Sequence, residues 1–225
     1  MKVQVSGNFF LKSLVIWAEM IIFATNYNNY NDMHVHKTLK QKVEECLTLL
    51  RSTNREKIED LINHITKMGY FEAPGSLRHH RFVGGLVSHS LETFHKAMQL
   101  REKKIQEGFD PADMPEESVI IAALMHDLCK ADTLRYNSEV RKAYVCKGSK
   151  GHSARSVRQV GYSGFRLTSI EKDAILWHMG GEHICEDKQK RIEYFRSHPL
   201  SDIIRTADGK SIGESKRRHH SVKCG

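Results

Sequence analysis

The chain has no CxxC pair. Its five cysteines stand at 46, 129, 146, 185 and 224 in 225 residues. So scattered a set makes no disulfide framework and reads as reduced, intracellular usage, which places the protein in the cytoplasm with no disulfide partner. There is no internal repeat, which excludes a solenoid or propeller. There is also no uninterrupted apolar run of spanning length. The most apolar stretch, residues 9–24, is shorter than the ~20 residues a spanning helix needs and carries Lys12 and Glu19. It has no clear small-residue cleavage site, so a secretory signal fits poorly too. Membrane association is not expected. With the Asn-rich run up to Asp32, residues 1–32 read as an apolar appendage and linker ahead of a single domain over 33–209.

What the chain does have is histidine and positive charge. Fourteen histidines accompany a formal net charge of +8. The charge favours anionic partners, either a phosphorylated small molecule or nucleic acid. Several histidines fall inside apolar helical patterns, which points to metal. At 40% hydrophobic and 28% charged residues, the composition fits one domain with a real core.

Along the chain the apolar period is that of helices, and the fold class expected is all-α, a compact helical bundle. Leu39, Val43, Cys46, Leu47 and Leu50 mark one helix. Asn54 would cap a second that carries Ile58, Leu61, Ile62 and Ile65 and stops at Gly69. A long helix from near Gly84 to about Glu107 places Leu86, His89, Thr93, Ala97 and Leu100 on one face. Pro115, Glu116 and Glu117 suit the first turn of a helix that runs into His126-Asp127. Residues 133–149, with Tyr136, Val140, Tyr144 and Val145 between basic residues, form a short β-hairpin or extended loop. Gly151 opens a helix with His152 in its first turn. Thr168-Ser-Ile-Glu171 is a capping box for the next, which presents Trp177 and His178. Residues 182–198 are polar and read as a solvated loop or lid. A last helix from His198 ends on Asp208, and 210–225 forms a basic, disordered tail.

The centre of this pattern is Ala122-Ala-Leu-Met-His-Asp-Leu-Cys-Lys130. Val119, Ala122 and Ala123 share a helix side with His126, so an imidazole and a carboxylate emerge where burial is expected. A buried carboxylate needs a cation. By itself the pair reads first as a core hydrogen bond or a helix-end salt bridge, and His89 alone as a satisfied core histidine. The spacing argues for more. His89, His126-Asp127, His152, His178 and Asp208 follow one another at intervals of 25 to 37 residues. Each interval is about one helix and a connection, so a bundle can aim all six side chains at one point. Imidazole with carboxylate suits divalent Mn, Fe, Zn or Mg.

This ordered H…HD…D set, over roughly His79 to Asp208, resembles the HD-domain superfamily of metal-dependent phosphohydrolases. HHRFVGGLVSHS, LMHDLCK and KGSKGH are similar to the HD domain of certain bacterial 3′-to-5′ exoribonucleases. HDLCK is similar to the HD-x-x-K pattern of cyclic-dinucleotide phosphodiesterases. The resemblance implies two divalent ions, one held by His89, His126, Asp127 and Asp208, the other sharing Asp127 and taking His152 and His178. It implies hydrolysis of a phosphate ester of a nucleotide or short oligonucleotide by a metal-activated water, with Asp127 and Lys130 in catalytic roles. His80, Lys130, Arg155 and His183 are the candidates for substrate contact, with Arg158 beside Arg155 on a basic rim. The chain departs from both subfamilies. It has no β-rich segment in residues 1–78, and in place of a Gly-Tyr-Pro signature it carries His178, Gly180-Gly181 and His183. The competing expectation is an HD scaffold that binds a nucleotide or nucleic acid without cleaving it. A structural metal fits less well, because closed structural sites are usually cysteine-rich.

Overall fold

The computed structural model describes residues 37–146 and 151–221, without the side chains of 214–221. The apolar stretch 9–24, the Asn-rich run, residues 147–150 and Cys224 lie outside the described residues. The chain divides into two units, Met1–Gln41 and Lys42–Gly225. Everything below concerns the second, apart from the start of the first helix.

The described chain is mostly helical, with one small two-stranded antiparallel sheet. Helix α1, Leu39–Ser52, buries Cys46 and Leu50, and α2, Ile58–Lys67, buries Leu61, Ile62 and Ile65, the stripe their apolar spacing requires. Asn54 does not cap α2. It adopts a left-handed conformation and turns its Nδ2 back to Ser52 O, so it serves the end of α1. Helix α2 instead starts after Lys57 with no side-chain cap, and Glu59 and Asp60 offset the positive end of its dipole.

The core is built on two helices. Helix α3, Gly85–Gln106, is buried from Gly85 to Leu91 and again at Thr93, Phe94, Lys96 and Ala97. Helix α4, Glu116–Met125, is buried at every position from Ser118 to Met125. A helix apolar all round belongs in the middle of a bundle, and α4 packs against α3 on one side. After α4 the chain turns through His126–Cys129 into the short α5, Lys130–Thr133, then into β1, Leu134–Asn137, and β2, Lys142–Val145. Leu134 pairs with Val145 and Asn137 with Lys142, the hairpin expected in this stretch. Helix α6, His152–Tyr162, and α7, Ser169–Trp177, complete the cage around α4. The capping box forms as the sequence requires: Glu171 N donates to Thr168 Oγ1, and Thr168 N donates to Glu171 Oε2.

Two expectations fail at the C-terminal end. Residues 182–198 are not all loop, because α8 spans Lys188–Ser197. Asp187 caps it by accepting from the N–H groups of Gln189 and Lys190. Tyr194 then stacks between Trp177 and His198, with ring centres at 3.8 and 3.9 Å. The charge of this segment hides that aromatic face. The final helix, α9, does not end on Asp208 either. It runs Pro199–Ser221 against α3 and α7, so the backbone expected to be unstructured from Lys210 is helical to Ser221. Ser211, one turn beyond Asp208, is fully buried.

Among the described residues no helix is long and apolar enough to cross a membrane, and Cys46, Cys129, Cys146 and Cys185 are all free thiols.

Candidate metal centre

Two of the expected ligands stand at helix C-termini, and that position sets their chemistry. The last carbonyls of a helix have no N–H partner within it. His126, just past α4, places Nδ1 2.8 Å from Ala123 O. His178, just past α7, places Nδ1 2.7 Å from Ile175 O. A carbonyl only accepts, so each Nδ1 carries the proton and each Nε2 presents a lone pair. His89, in the second turn of α3, has Nδ1 2.8 Å from Ser211 Oγ of α9. His152, the first residue of α6, has Nδ1 3.0 Å from Cys129 Sγ. In all four imidazoles, then, Nδ1 is engaged outward.

The Nε2 atoms converge on Asp127. Its Oδ2 lies 3.4 Å from His126 Nε2 and 3.5 Å from His89 Nε2. Its Oδ1 lies 3.6 Å from His178 Nε2 and in contact with His152 Nε2. One carboxylate thus faces two sets of imidazoles with its two oxygens. Asp208 closes the first set, with Oδ1 3.1 Å from His89 Nε2 and 3.8 Å from His126 Nε2. The structure therefore brings together all six expected ligands: His89, His126, Asp127, His152, His178 and Asp208. Five are buried, and His152 is partly open.

The donor set fits a divalent cation on three counts. Imidazole nitrogen and carboxylate oxygen are ligands for Mn, Fe, Zn and Mg. The His89–His126 Nε2 separation of 3.2 Å and the His89–Asp208 separation of 3.1 Å match the cis edges of a coordination polyhedron, about 3.0–3.5 Å for bonds of about 2.0–2.2 Å. His178 Nε2 is buried with no hydrogen-bond partner among the described residues, and an orphaned lone pair in a protein interior calls for an explanation. The groups His89, His126, Asp208 and His126, Asp127, His178 could each hold an ion.

Electrostatics show how the centre is balanced without one. Burial opposes a charged Asp127, but the Lys130 ammonium and the His126 and His152 rings outweigh it and hold the carboxyl well below the usual range. Burial likewise opposes charge on His89 and His152. Carboxylate contacts prevail, Asp127 and Asp208 pushing His89 up to about 9 and Asp127 pushing His152 up to about 10. For His178 burial prevails and its pKa falls. Protons on His89 and His152 and the Lys130 ammonium thus set three positive charges against the two carboxylates.

The remaining candidates divide. Lys130 Nζ touches Asp127 Oδ2 and belongs to the centre. The His80 ring lies 5.2 Å from that of His89, so it adjoins the centre. Arg155 donates to Asp132 Oδ1 at 2.9 Å and is tied to the flank of α6, and Arg158 is exposed there. His183 is exposed on the turn after α7 and belongs to none of the groups that could hold an ion. Sequence reasoning missed two residues. Cys129 meets His152, and His79 packs beside His80 with its ring 5.3 Å from His89. The adjacent His-His pair was the available signal for the second.

Compared with protein-family models, with curated proteins and with solved structures, the chain matches none.

Proposed function

We propose that the protein is a metal-dependent phosphohydrolase or phosphodiesterase of the HD-domain type, hydrolysing a phosphate ester of a nucleotide or short oligonucleotide. The observation that carries this reading is the placement of Asp127, whose two oxygens address two different imidazole sets. A carboxylate so placed can bridge two cations. When bound, a pair of divalent ions would acidify a water for attack on phosphorus and neutralise the charge that builds on the phosphoryl oxygens.

The chain's own residues supply the rest. His89, His126, Asp127 and Asp208 would hold one ion, and Asp127, His152 and His178 the other. The backbone carbonyls of Ala123 and Ile175 fix the rings of His126 and His178 with Nε2 toward the centre. His152 and Lys130 are the members with exposed side-chain surface, 22% and 18%, so substrate would approach on their side. There the Lys130 ammonium is placed to steady a phosphoryl oxygen. The buried walls exclude water from the other faces.

The test is a panel of mononucleotides, cyclic dinucleotides and bis-p-nitrophenyl phosphate offered to protein stripped and then reloaded with Mn²⁺, Fe²⁺, Zn²⁺ or Mg²⁺. Metal-dependent turnover is expected, and Lys130→Ala lowers it about a hundredfold while retaining metal. Folded, metal-loaded protein that binds a nucleotide and releases it unchanged would favour the non-catalytic scaffold instead.

A further inference from the structure

Two buried histidines adjoin the centre without belonging to its six-residue set. His79 and His80 sit on the turn ahead of α3 and are 7% and 2% exposed. The turn is braced from within. Ser76 Oγ accepts from the N–H groups of Arg78 and His79 and donates to His79 O, and Gly75 N donates to His80 O at 2.9 Å.

His80 holds a left-handed backbone, φ 49, which is unfavourable for a residue with a side chain. Two glycines make room for it. A Cβ on Gly85 would meet His80 O at 1.9 Å, and one on Gly75 would meet His80 Cβ at 2.8 Å. The strained turn is therefore pressed against the start of α3, four residues from His89. What the strain achieves is the delivery of two imidazoles to a third.

The rings of His79 and His80 lie 5.3 and 5.2 Å from that of His89, and their own Nδ1 atoms are 3.1 Å apart. One nitrogen from each of the three rings falls within 4.8 Å of the other two. His89 also belongs to the group with His126 and Asp208, so the two groups join at His89. His80 has Nε2 3.2 Å from Glu92 Oε1, which steadies its far side. A histidine kept only for packing needs neither a left-handed neighbour nor two glycines to aim it at another imidazole.

We infer that His79 supplies a further nitrogen donor to an ion held on the His89 side of the centre, and that His80 positions it. The inference rests on the metal-centre reading. With His89, His126, Asp127 and Asp208 it would bring the candidate protein donors to five. Such a site suits six-coordinate Mn²⁺ or Fe²⁺ better than tetrahedral Zn²⁺.

The experiment is a Co²⁺ titration of the full chain, followed by visible absorption and by calorimetry. It compares wild type, His79→Ala, the ring-preserving His79→Phe, and His64→Gln on the remote α2 as a control. Wild type and His64→Gln should show the weak bands of five- or six-coordinate cobalt. His79→Ala and His79→Phe should bind the ion at least about tenfold more weakly and shift toward the intense bands of four-coordinate cobalt. If His79→Ala fails to fold, His79→Phe decides. Wild-type affinity and spectrum in a folded His79 variant would overturn the inference and leave the metal centre standing. Wild-type protein that takes up no cobalt would overturn both.

Discussion

His178 Nε2 points toward Asp127 Oδ1 across 3.6 Å, buried and with no hydrogen-bond partner among the described residues. The gap is too long for a hydrogen bond. A cation seated between imidazole and carboxylate would satisfy both groups.

Ser211 should matter to metal binding although it is not itself a ligand. Its Oγ lies 2.8 Å from His89 Nδ1 and fixes the ring from α9. Ser211→Ala should weaken metal affinity about 10- to 100-fold with little loss of helix content. Calorimetric titration beside circular dichroism checks this. Unchanged affinity would mean that His89 does not depend on α9 for its orientation.

The pH dependence of stability should differ between stripped and loaded protein. In the stripped protein His89 and His152 titrate near 9 and 10, above the ordinary 6.5. Their protons therefore contribute stability that is fully present below about pH 6.5 and is lost as pH rises through 9 to 10. Asp127 and Asp208 are depressed, burial being outweighed in Asp127 by Lys130 and the histidines and in Asp208 by His89. Their contribution is present above the ordinary carboxylate range and is lost as pH falls. A bound ion needs the Nε2 lone pairs unprotonated, so its affinity rises across the same alkaline window. Melting curves at pH 6.5 and 9.5, with chelator and with Mn²⁺, should show the gap between the two forms widening with pH. A constant gap would contradict this balance of charges.

A second buried carboxylate tests the scaffold apart from the centre. Glu171 is fully buried and accepts from Arg55 Nη1 at 2.7 Å and from Ser118 Oγ at 2.9 Å. Arg55 also holds Arg166 O. Arg55→Ala leaves that carboxylate without its cation and should destabilise the fold by about 3 kcal/mol in urea unfolding. Because the site lies away from Asp127, metal affinity of the folded protein should not change.

The convergence of the six candidate residues was legible because each stands on, or directly after, a helical segment. The steady interval between them revealed a shared target. Helix α4 shows as a near-continuous apolar run, and the Thr168–Glu171 capping box marks the start of α7 to the residue. The hairpin Leu134–Val145 was legible from its aromatic and β-branched residues. Three features were not. His79 lies on a turn, where no periodicity marks an inward side chain. Helix α8 is held by Asp187 and by the stacking of Tyr194 between Trp177 and His198, neither of which shows in a segment dominated by Lys and Arg. The length of α9 was missed because beyond Asp208 its buried contact is Ser211, a polar residue packed against His89 rather than an apolar one against the core. The pairing of Arg155 with Asp132 depends on the approach of α6 to α5, which spacing does not encode.

The most direct test of the central claim is elemental analysis of wild type and Asp127→Ala, each purified without added metal, offered Mn²⁺ and Fe²⁺, and desalted. Wild type should retain divalent metal in stoichiometric amount and folded Asp127→Ala essentially none, because both imidazole sets meet at that one carboxylate. Folded wild type without metal, or equal retention by the two proteins, would contradict it.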